Sequence, residues 1–126
     1  MDEAPLIVRR MPAERHHLAR AMTGHSDESA ASTWWELVDA LAAADLPPAG
    51  VALTHAMPDG SVTVSALGAG PAATVALPEL LRGLTAVLRG HATDLVIARS
   101  TDPAVVPALV TVGFIRTAND CYVLAL

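Results

Sequence analysis

The chain has 126 residues, 52% of them hydrophobic and 17% charged, which is enough apolar material for one buried core and far from the composition of disorder. A net charge of −5, with no lysine and with the arginines scattered along the chain, argues against a nucleic-acid surface, which needs a basic stripe. The single cysteine, Cys121, rules out an intrachain disulfide. With no signal-peptide pattern and no run of membrane-spanning length, it predicts a cytoplasmic protein without membrane association, folded as one domain over residues 1–126.

Leu6 to Arg10 reads as a first strand. Pro12 then opens a helix carrying Leu18, Ala19 and Met22 on one side, which stops at Thr23-Gly24. Residues 25–32 read as a polar loop in which Asp27 and Glu28 are available to a cationic molecule. Thr33-Trp34-Trp35-Glu36 fits a capping box and predicts a second helix to about Ala44, broken by Pro47-Pro48. On a helix the two indoles point about 100° apart, so one tryptophan is expected in the core and the other partly exposed. The exposed indole and the high apolar fraction together predict a homodimer.

Val51 to Ala56 and Ser61 to Leu67 form a predicted hairpin about Pro58-Asp59-Gly60. Strict alternation would place Val62, Val64 and Ala66 on one face and Ser61, Thr63, Ser65 and Leu67 on the other. The leucine spacing from Ala76 to Arg89 predicts a long helix, weakened at Gly83 and ended at Gly90. Asp94 to Arg99 is the next strand. A short helix follows and stops at Gly113; starting it late puts Pro107 harmlessly in the first turn. Phe114 to Thr117 and Cys121 to Leu126 close the chain as two strands joined through Asn119-Asp120.

The closing order of strand, short helix, Gly113-Phe114 and a last strand with Tyr122-Val123-Leu124 resembles the GNAT (Gcn5-related N-acetyltransferase) superfamily. The resemblance implies an α/β fold with a mixed central sheet and helices on both faces, in which one early strand is not visible in this sequence. A different α+β sandwich with the same element order is the competing arrangement. The implied cofactor is acetyl-CoA or another acyl-CoA, and the implied partner is a small-molecule amine. The resemblance places the cofactor along Leu67, Ala69, Ala73, Thr74, Val75, Ala76 and Asp102. The phosphate turn falls on Ala72 to Leu77, without the family's glycines and with Pro78 removing an amide donor.

The acid-base positions also depart from the family. Ser65 stands where a carboxylate base is common, and Leu109 where a tyrosine acid is usual. His55, Ser65 and Tyr122 are the remaining catalytic candidates; Cys121 and Tyr122 point to opposite faces, so at most one of them lines a given pocket. His16, His17, His25 and His91 lack ligand spacing, so no metal is expected. Two functions follow: an acyl-CoA-dependent N-acyltransferase, or a non-catalytic GNAT-like module that binds a ligand or a protein and has lost the acyl-CoA motif.

Overall fold

Seven strands hydrogen-bond into one sheet in the order β1-β2-β3-β4-β5-β7-β6. The computed structural model describes residues 6–25, 30–41 and 46–126. The strands are β1 (Leu6–Arg10), β2 (Ser32–Asp39), β3 (Gly50–Ala56), β4 (Val62–Ala69), β5 (Leu95–Arg99), β6 (Ile115–Ala118) and β7 (Cys121–Ala125). Every neighbouring pair is antiparallel except β4 and β5, which run parallel. The helices are α1 (His16–Thr23), entered through a 3-10 turn at Ala13–Arg15, then α2 (Ala73–Gly90) and α3 (Val106–Val112).

The early strand that the sequence hides is β2, and it lies where the capping box predicted a helix. Trp34, Trp35, Glu36, Leu37 and Val38 are all buried. A strand covered on both faces reads as an unbroken apolar run, so periodicity cannot separate it from a buried helix; aromatic and β-branched residues favour the strand. Residues 42–45, where the expected helix would have ended, lie outside the described residues, as do Asp27 and Glu28. Alternation along β2 sends the two indoles to opposite sides. Trp34 joins Met11, Ala19, Val51 and Leu53 beneath α1, while Trp35 joins the larger core under α2 and α3. Both are buried, so the partly exposed tryptophan expected at an interface is not there.

Helix α2 is the main brace on its face. It turns Leu77, Leu80, Leu81 and Leu84 wholly inward, each stabilising the fold by about 1.5–3 kcal/mol. Gly83 has a packing reason: a Cβ there would run into Cγ2 of Val8 and lie 3.0 Å from its Cβ, so the helix rests on β1 at that point. In α3, Pro107 falls in the first turn, and Gly113 closes the helix with φ +113° while the Phe114 amide donates to the Leu109 carbonyl.

Glu36 is fully buried in β2, yet it is charge-paired. Arg15, on the 3-10 turn, donates from Nη2 to Oε1 at 2.8 Å, and Arg9 on β1 donates from Nε to Oε2 at 2.9 Å. The residue that completed the apparent capping box therefore ties β1, β2 and the entry to α1 together.

Two predictions test these contacts. Arg15→Met leaves a buried carboxylate held only by the half-exposed Arg9 and is expected to cost about 3–5 kcal/mol in urea unfolding, with most of it recovered in Arg15→Met/Glu36→Leu. At the β3–β4 turn, Asp59 accepts from the Ser61 hydroxyl at 2.6 Å and the Ser61 amide at 2.9 Å, and these bonds hold its carboxyl below the usual range, the hydroxyl contributing most. A depressed folded-state pKa means that the stabilisation is present above the ordinary carboxylate range and is lost as pH falls through the lowered value. The melting temperature of the wild type should therefore exceed that of Asp59→Asn near neutrality and converge with it in acid.

Candidate functional site

The site begins with one extra residue in β4. Leu53 of β3 pairs with Ala66, but the next residue, Thr54, pairs with Val64, so Ser65 bulges out of the ladder. The bulge resets the alternation. Below it Val62 and Val64 face α2; above it Ala66 packs beneath α1, while Leu67 and Ala69 return to the α2 side. The expected grouping of Ala66 with Val62 and Val64 fails for this reason, and Leu67 joins those two valines instead.

The parallel pairing stops at the same place. β5 matches β4 only at Val62–Val96, Thr63–Ile97 and Val64–Ala98, whereas β4 runs on to Ala69. From Ser65 onward β4 is bonded on its β3 side alone. The two strands part around a cavity of about 160 Å³, walled by Val64 to Leu67 on one side and by Ala98, Arg99, Ser100, Asp102 and Val105 on the other. That volume is close to the ~150 Å³ of a cavity that admits a benzene.

Of the residues proposed from sequence, Ser65, Leu67 and Asp102 line this gap. Asp102 also caps its own turn, its Oδ1 accepting the Ala104 amide at 2.8 Å and its carbonyl accepting the amides of Val105 and Val106. Ala69 sits at the far end of β4, outside the gap. Ala73, Thr74, Val75 and Ala76 form the first turn of α2, which has no side-chain cap. Val75 and Ala76 already donate to the Ala72 carbonyl at 3.0 and 2.9 Å, and Ala76 points into the core. The amides left for an anion are those of Ala73 and Thr74, a smaller cradle than a glycine-rich turn provides.

His55 lies on β3 opposite Ser32, whose Oγ is 3.1 Å from its Nδ1, away from the gap. Tyr122 pairs with Ala98 on β7 and is buried in the main core, and Leu109 is fully buried. Among the described residues no group of three or more His, Cys, Asp or Glu side chains is placed to hold a metal ion, and no helix is long and apolar enough to cross a membrane.

The sequence reading missed Arg99 and Ser100 as lining residues. The only available signal was their place at the end of a strand leading into a helix, and nothing in the composition marks where β5 leaves β4.

No protein-family model and no curated protein matches the chain by sequence. Solved structures do match by shape. The ribosomal-protein-S18-alanine N-acetyltransferase of Escherichia coli superposes with a TM-score of 0.70 at 12% identity, over 97% of this chain and 93% of that one. A GNAT-family acetyltransferase from Staphylococcus aureus gives 0.66 at 7% identity over 96% and 99%. A Bacillus subtilis acetyltransferase solved in complex with CoA gives 0.67 at 12% identity over 90% and 79%. With the mixed seven-stranded sheet and its parted central pair, these likenesses establish that the chain has the GNAT fold.

Proposed function

We propose that the chain is an acyl-CoA-dependent N-acyltransferase acting on a small amine, with acetyl-CoA or another acyl-CoA as donor. The observation that carries this reading is the parting of β4 from β5 after three paired residues. It leaves unpaired backbone on β4 beside a narrow opening, and such an edge suits a pantetheine arm, whose amides can pair with it as an added strand would. The uncapped first turn of α2 and its dipole then lie toward the phosphates. That the Bacillus subtilis neighbour was solved with CoA supports the same donor.

The chemistry requires little from side chains. The free amine attacks the thioester carbonyl, the new C–N bond forms, the C–S bond breaks and CoA leaves as thiolate. Ser65 is no base near neutral pH, so the ammonium proton passes to water, and positioning supplies most of the acceleration.

A second reading is favoured by the amides of Val75 and Ala76, which are spent within the helix, and by the Ser65 and Leu109 positions. In it the chain is a non-catalytic module that keeps the gap as a ligand pocket or presents its surface to a protein partner. Calorimetric titration separates the two. The transferase reading expects micromolar binding of acetyl-CoA and of CoA, and thiol release once a primary amine is added; silence with both nucleotides leaves the module.

We also place the protein in the cytoplasm, as the single thiol of Cys121 suits a reducing compartment. A homodimer is part of the proposal too, resting now on the face of β5, β7 and β6 turned away from α2 and α3, where Ile97 and Val123 are half-buried and Ile115 is 68% exposed. Light scattering that finds a monomer at high concentration removes the dimer.

A further inference from the structure

The gap between β4 and β5 is lined by residues from both faces of the sheet, Val64 from the α2 side and Ala66 from the α1 side. Val96 and Ala98 are turned into the core with α2 and α3, so strand alternation turns Leu95, Ile97 and Arg99 to the opposite face. Arg99 is the last residue of β5 and lines the gap together with the Ser65 bulge. Its side chain is 68% exposed, and its one charged partner among the described residues is Asp120, 3.9 Å away, a separation that holds it weakly in water. Asp120 lies beside Arg99 and does not line the gap. The other charged residue that does, Asp102, has Oδ1 committed to the Ala104 amide on the helix side. Arg99 is thus the one cation among the residues that line the cavity, and its planar fork of donors matches a carboxylate.

We propose that Arg99 sets the acceptor class: the amine that meets the thioester at the mouth of the gap bears a carboxylate near its nitrogen, as an α-amino acid does, and that carboxylate takes Arg99 from Asp120. Nearness is required because Arg99 lines the same small cavity, about 160 Å³, in which the pantetheine arm would present the thioester. The inference rests on the transferase reading and deepens it.

The test compares amino acids with the amines they yield on decarboxylation: L-leucine with isoamylamine, and L-phenylalanine with phenethylamine. Thiol release from acetyl-CoA is followed, with rates expressed per free amine. The wild type is expected to favour the amino acid by about tenfold in kcat/KM, carried mainly by KM. Arg99→Ala should bring the ratio toward unity, and Arg99→Lys should keep part of it. A ratio unchanged in Arg99→Ala, or a wild type that prefers the decarboxylated amine, overturns the proposal. Titration of both proteins with acetyl-CoA gives a separate readout. If Arg99→Ala loses acetyl-CoA affinity while the preference stays, the anion on Arg99 is a CoA phosphate and the proposal falls. A wild type that binds no acetyl-CoA removes the transferase reading, and this inference with it; one that binds it and shows no preference removes this inference alone.

Discussion

Backbone hydrogen bonding along β4 is the constraint from which the rest of the molecule follows. Seven strands could pair along their whole lengths, yet the one parallel junction is three residues long, and the strand beyond it is satisfied on a single side. An unpaired edge is ordinarily found at the rim of a sheet, where charges or bulges protect it. Here it lies in the middle, with β5, β7 and β6 still attached beyond it. The interior edge persists because side-chain packing on the helix side joins the two halves of the sheet where ladder hydrogen bonds do not. Helix α2 spans β1 to β4, α3 packs against α2, and β5 and β7 contribute Val96, Ala98 and Tyr122 to the same core.

Much of this was legible in the sequence, and what was not has physical reasons. The leucines of α2 and the Gly113 stop marked their helices because each has one wet face, and amphipathic spacing survives only where one face is wet. β2 has none, and its burial on both sides removed the period that would have named it. Glu36 compounded the error. A carboxylate three residues after a threonine looks like a helix start, and only the two arginines from distant parts of the chain make it acceptable inside a strand. The Ser65 bulge was invisible for a different reason: it depends on how β3 registers against β4, and no local composition encodes a one-residue slip.

The departures from the family's catalytic pattern take a different form in three dimensions than they do on the page. Leu109 adds to the core, and His55 faces Ser32 across the β2–β3 ladder, so neither side chain lines the opening. What surrounds the opening is backbone, small side chains, two serines and two charges. On the transferase proposal, such an opening acts by shape and by its unpaired peptide groups, with few side chains to add to them.

Trp34 and Trp35 follow one another in β2, yet they are sealed into separate layers, one against α1 and the other against α2. Intrinsic fluorescence of this protein is accordingly the sum of two reporters with different surroundings, the Trp35 indole donating a hydrogen bond from Nε1 to the Thr54 hydroxyl at 2.8 Å. Loosening of one layer while the other stays packed would alter a single component of the emission, so a spectrum that changes in two stages on denaturation would reveal the order in which the two sides of the sheet come apart.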